Sequence, residues 1–124
     1  MAKFIQIVTT FKTHDEAMTM SAKILEEGLV ACAHISEIQS HYKFEGELHH
    51  HKEFQLSMIT RDELYKQCEG FIKKNHPYKV PQIIATKIKH GHHDYLNWVF
   101  ESSTKRPKGA LALRVLPQTI DDDS

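Results

Sequence analysis

The sequence predicts an α+β domain in which two strand-helix-strand halves share one antiparallel sheet. Three observations carry this. Two stretches with apolar residues at helical spacing each open on a Thr-x-x-Glu signature, Thr13-His14-Asp15-Glu16 and Thr60-Arg61-Asp62-Glu63, the pattern in which the first side chain and the fourth cap each other's backbone amides. Short runs rich in β-branched and aromatic residues flank both stretches. Between them, residues 31–60 read as one long β-hairpin turning at Glu45-Gly46.

Taken in order, Phe4 to Thr10 is short and β-rich and reads as a buried strand. The first helix follows, with Ala17, Met20, Ile24 and Leu25 on one face, and Gly28 supplies its left-handed stop. On the outgoing arm of the hairpin the apolar residues sit at odd positions, Ala31, Ala33 and Ile35, then at even ones, Ile38, Tyr42 and Phe44. Side chains alternate with period two, so this slip predicts a β-bulge near Ser36-Glu37. The return arm keeps one phase through Phe54, Leu56 and Met58. A second helix carries Leu64, Cys68, Phe71 and Ile72 and stops at His76-Pro77, because proline disfavours helical geometry in the residue before it. Val80 to Ile88 makes a further strand, with Pro81 at its start or on an edge. A short last helix holds Tyr95, Leu96, Trp98, Val99 and Phe100 and is capped by Asp94. The resulting βαββαβ order is the ferredoxin-like arrangement, with both main helices on one sheet face.

Hairpin arms of about a dozen residues at ~3.3 Å each reach roughly 40 Å, more than a globule of this size covers. Part of the hairpin therefore projects, exposing Tyr42, Phe44 and Leu48 and pointing to an oligomer. The opposite sheet face needs a cover from the last helix, the overhang or a second copy.

The 124 residues make one domain over 1–103, followed by a 104–124 extension where composition changes; Ala110 to Leu116 is either an added edge strand or loosely held. Sixteen basic residues balance sixteen acidic ones, so no electrostatic term draws the surface to nucleic acid or an anionic membrane. No apolar run reaches transmembrane length, and the first residues read as a strand rather than a signal peptide. Cys32 and Cys68 read as buried free thiols, which places the chain in the cytoplasm.

Ten histidines are the compositional oddity. His49-His50-His51 alternate faces in a strand and cannot all hold one ion. His90, His92 and His93 around Gly91, with Asp94 alongside, are the better candidates for a Cu or Zn ion, the other reading being a solvated loop. His76 with Pro77 and Tyr78 reads either as a structural turn at a subunit boundary or as part of a cleft for a metal or an anion. Tyr95, Trp98 and Phe100 read as core or interface, and Glu53 as an ion-pair partner for Arg61 or Lys52. No serine-nucleophile elbow, phosphate loop or dinucleotide fingerprint is present, so enzyme is not the expected class.

Leu29-Val30-Ala31-Cys32, Ser40 through Gly46, Thr60-Arg61, His76 through Pro81, and Tyr95-Leu96-Asn97-Trp98 occur in an order and spacing that resembles the CutA family of divalent-cation-tolerance proteins, over about residues 4–103. The resemblance implies a ferredoxin-like subunit in a compact homotrimer similar to the PII signalling proteins, its long hairpins pairing between copies, with Tyr42, Phe44, Tyr78 and Trp98 at the interface. It implies metal tolerance, or a signalling or scaffold trimer that docks another protein. His34, Phe44, Glu47 and Gln82 depart from the family's usual Asn, Trp, Lys and Glu. At the three positions of the family's bacterial copper site stand Thr9, Asn75 and His76, so one ligand of three persists, and the extension beyond Ser103 has no usual counterpart.

Overall fold

The computed structural model of the chain describes residues 3–106. Among them, four strands and three α-helices follow in the order β1 (Phe4–Phe11), α1 (His14–Glu26), β2 (Cys32–Phe44), β3 (Glu47–Arg61), α2 (Tyr65–Asn75), β4 (Ile84–Ile88) and α3 (His93–Ser102). The strands form one antiparallel sheet ordered β2-β3-β1-β4, the ferredoxin-like topology. Ala110 to Leu116 lie outside the described residues.

The capping box of α1 forms as its sequence dictates: Glu16 N donates to Thr13 Oγ1 at 3.1 Å and Thr13 N donates to Glu16 Oε1 at 3.1 Å. At the other end Gly28, at φ +72, closes a Schellman motif, with Gly28 N donating to Leu25 O and Leu29 N to Ile24 O. A side chain there would also meet Thr104 Oγ1, so both backbone angle and space require glycine. Ala17, Met20 and Ile24 are buried, whereas Leu25 turns out to be 40% exposed. They pack with Leu64, Cys68 and Ile72 onto Ile5, Ile7, Leu56 and Met58, the helix-facing side of the sheet. α3 covers one end of the opposite side, where Val99, Leu96 and Trp98 meet Phe4, Ile59 and Ile88.

Several local expectations are corrected. The second Thr-x-x-Glu is not a capping box: Thr60 is still in β3, fully buried, and donates its hydroxyl to Leu29 O at 2.6 Å, while a short 3-10 turn at Asp62–Leu64 leads into α2. The last strand begins at Ile84 rather than Val80, which is 78% exposed. The N-cap of α3 is His92, with Asp94 inside its first turn and making no cap bond. Cys68 is buried, but Cys32 is only partly so.

The hairpin holds no bulge. From Cys32 opposite Ile59 to Phe44 opposite Glu47 the register is continuous, and the turn takes Glu45 at φ +52 and Gly46 at φ +82, the two positive angles of a type I′ loop. Apolar residues therefore change face within a regular strand. Ala33 and Ile35 point to the helices; Ile38, Tyr42 and Phe44 point the other way. The switch falls where β1 ends, since Phe11 pairs with Phe54, which also pairs with Glu37. Beyond it β3 has only β2 for a neighbour, giving a two-stranded ribbon about 23 Å long at ~3.3 Å per residue.

Candidate functional site

α2 stops at Asn75 because Pro77 forces His76 into extended backbone, φ −90 and ψ 136. That turn aims the His76 ring back onto Phe11, stacked at 4.3 Å and 13°. Tyr78 N donates to His76 Nδ1 at 3.1 Å, which leaves Nε2 as the protonated nitrogen, donating to Thr10 O at 2.9 Å. Burial lowers the His76 pKa, against smaller opposing effects from the Thr10 bond and from Glu16 and Glu53. The ring is thus neutral with both nitrogens committed to backbone, and it offers a metal no lone pair in this arrangement.

Next to it Tyr78 Oη donates to Glu53 Oε2 at 2.6 Å. Glu53 is buried, and Tyr78 is raised well above its ordinary pKa by burial and by that carboxylate. The expected ion pairs of Glu53 are replaced: Lys52 lies 4.0 Å from Glu37, and Arg61 pairs with Glu63. Behind the turn a groove of about 320 Å³ runs between α1 and the end of α2, floored by Phe11 and Met20 and edged by Glu16, Lys23, Lys74 and His76.

His90, His92 and His93 are exposed and are not gathered. His93 Nδ1 lies 3.5 Å from Asp94 Oδ1, both side chains more than four-fifths exposed. Gly91 lies close against α3, and a Cβ there would sit 2.9 Å from Leu96 Cδ1. Among the described residues no three His, Cys, Asp or Glu side chains converge as a metal centre. Of the residues expected at an interface, Tyr42 and Phe44 are 40% and 55% exposed, Tyr78 is half-buried against Glu53, and Trp98 packs on its own sheet beside Tyr95.

Two groupings escaped the sequence reading. One is Arg61, whose guanidinium donates to Ser103 Oγ, Ser103 O and Lys105 O and lies 5.0 Å over Phe100, tying the end of α3 to β3. Nothing local in the sequence signals it. The other is the ribbon's histidines: His41 and His50 stack at 4.0 Å and 11°, while His49 and His51 flank Tyr42 on the other face, Tyr42 Oη lying 2.9 Å from His51 Nε2. This pairing had a signal, because a two-residue loop at Glu45-Gly46 sets Phe44 opposite Glu47 and His41 opposite His50.

A ferredoxin-like sheet whose long hairpin runs past the end of β1 as a two-stranded ribbon defines a class of small α+β proteins. Within that class the family is clear. The family model for CutA1 divalent ion tolerance protein matches residues 5–102. Divalent-cation tolerance protein CutA of Pyrococcus horikoshii is 35% identical over 101 residues, covering 82% of this chain and 99% of its own, and that of Thermotoga maritima is 34% identical over 98 residues, covering 79% and 97%. The crystal structure of CutA1 from Ehrlichia chaffeensis superposes with a TM-score of 0.79 at 30% identity, over 85% of this chain and 99% of that one. The chain belongs to the CutA family. These relatives are named for cation tolerance rather than for a reaction.

Proposed function

We propose that the chain acts as a cytoplasmic homotrimer of the CutA type in divalent-metal tolerance, copper included, and holds a metal ion or small ligand in clefts between copies. One observation carries the assembly: a two-stranded ribbon with Tyr42 and Phe44 exposed on the face turned away from the helices. An isolated ribbon of this kind is marginal in water, and covering it with the same ribbon of another copy satisfies both its edges and its apolar face. The names of the relatives supply the physiological context. Light scattering on the eluting protein tests the assembly, a trimer being the expected mass and a stable monomer the result that defeats it. Restored metal resistance in cells lacking their own CutA tests the role.

A second reading, a PII-like signalling or scaffold trimer that docks a protein and has no physiological metal, is favoured by the state of His76 and by the separation of His90, His92 and His93. Calorimetric titration with Cu or Zn separates the two. Stoichiometric micromolar binding supports the metal reading; binding no tighter than that of a solvated histidine loop supports the scaffold.

A further inference from the structure

Four histidines stand on the ribbon, and the register divides them between its faces. Tyr42 and Phe44 share one face with His49 and His51; His41 and His50 occupy the other, with Gln39, Lys43, Leu48 and Lys52. His41 and His50 are directly opposite in the ladder, their rings parallel within 11° at 4.0 Å between centroids. His50 Nε2 lies 3.2 Å from Gln39 Oε1, so the amide oxygen can accept from Nε2–H and leave Nδ1 as the nitrogen with a free lone pair.

We propose that His41 and His50 form a cross-strand chelate for a single imidazole-seeking divalent cation, of the Cu²⁺, Ni²⁺ or Zn²⁺ class, on the ribbon face turned away from Tyr42 and Phe44. Imidazole lone pairs lie in the ring plane, so the two stacked rings turn about their side-chain torsions to meet one ion, and the paired backbones keep the second imidazole at high effective concentration once the first has bound. The Gln39 contact is the outer hydrogen bond that orients a ligating ring. Imidazole nitrogens select an ion of this class and disfavour hard, oxygen-seeking Mg²⁺ or Ca²⁺. Both histidines are exposed, on the face opposite Tyr42 and Phe44. The inference deepens the metal-tolerance reading and takes from it only the class of ion.

The test is titration of the full chain with CuCl₂, followed by calorimetry and by electron paramagnetic resonance, which counts coordinated nitrogens. The expected result is one tight ion per chain with a two-nitrogen signature. His41→Gln or His50→Gln alone should weaken it on the order of 10²-fold, the double variant little more, because the first loss already ends the chelate. His90→Gln with His92→Gln should leave it unchanged. Unaltered affinity and nitrogen count in His41→Gln, or an equal small loss for every histidine replaced, overturns the site. Circular dichroism checks the fold of each variant. A His41→Gln chain that loses the ion yet still restores metal resistance leaves the tolerance reading standing; retained binding in a chain that gives no resistance defeats that reading and leaves the site.

Discussion

At the scale of single residues, the buried polar groups decide the behaviour. His76 is neutral in the folded chain, and burial puts its pKa below the ordinary 6.5. The unfolded chain then binds the proton first, so this contribution is whole above about pH 6.5 and is lost as the pH falls from there toward the lowered folded value. Thermal midpoints measured between pH 8 and 5 should therefore fall on the acid side, and the His76→Asn variant should show a flatter profile. Cys68 is fully buried and its thiol is pushed up to about 12 by desolvation, whereas Cys32 is only partly buried with its Sγ 3.3 Å from Tyr95 Oη. Brief alkylation of the native protein should label Cys32 and spare Cys68 by mass spectrometry, with both labelled in denaturant. Thr9 is fully buried and its hydroxyl has no hydrogen-bond partner among the described residues. Thr9→Val should be neutral or stabilising by up to about 1 kcal/mol in denaturant titration, since an apolar group of the same shape removes the desolvated hydroxyl.

At the scale of elements, the caps and the Arg61 clasp carry the weight. Thr13→Ala removes the acceptor for Glu16 N and should cost about 1 kcal/mol. Arg61 is nine-tenths buried and satisfies two backbone carbonyls and a hydroxyl that join α3 to β3, so Arg61→Ala should cost roughly 3 kcal/mol and loosen α3 first in hydrogen exchange. Arg61→Lys should not restore it, because an ammonium cannot reproduce the planar fork. This contrast also shows where sequence reasoning reaches. Helix α1 was legible from Thr13 to Gly28 because every signal in it is local. The second Thr-x-x-Glu carried the same letters, yet the Thr60 hydroxyl is claimed by Leu29 O, thirty-one residues away. The Arg61 clasp spans forty-two residues and leaves no periodic trace. Histidines at 90, 92 and 93 are visible as a run, whereas the contact between 41 and 50 is made by strand register and leaves no run in the sequence.

For the whole molecule, the phase slip along β2 is the informative feature, and its meaning changed once the register was known. A bulge would have kept the apolar residues on one face and bent the ribbon; continuous pairing instead sends them to opposite faces on either side of Glu37. The inner half is written for the helices of its own chain. The outer half, Ile38, Tyr42 and Phe44, faces the other side, where α3 reaches only the far end around Phe4, Ile59 and Ile88. Mutations at the tip should then be sorted by face and not by hydrophobicity. Phe44→Glu and Tyr42→Glu place charge in the proposed contact between copies, and truncating either to Ala should cost about 3 kcal/mol or more if the ring is buried there. Leu48→Glu, at a residue 83% exposed on the opposite face, should leave the assembly intact although it removes the more exposed apolar side chain. Light scattering across a dilution series reads the difference: dissociation at lower dilution for the Tyr42 and Phe44 variants, and an unchanged mass for Leu48→Glu. Equal sensitivity at all three positions would mean that the ribbon is covered on both faces, and the face-specific account of the assembly would fail.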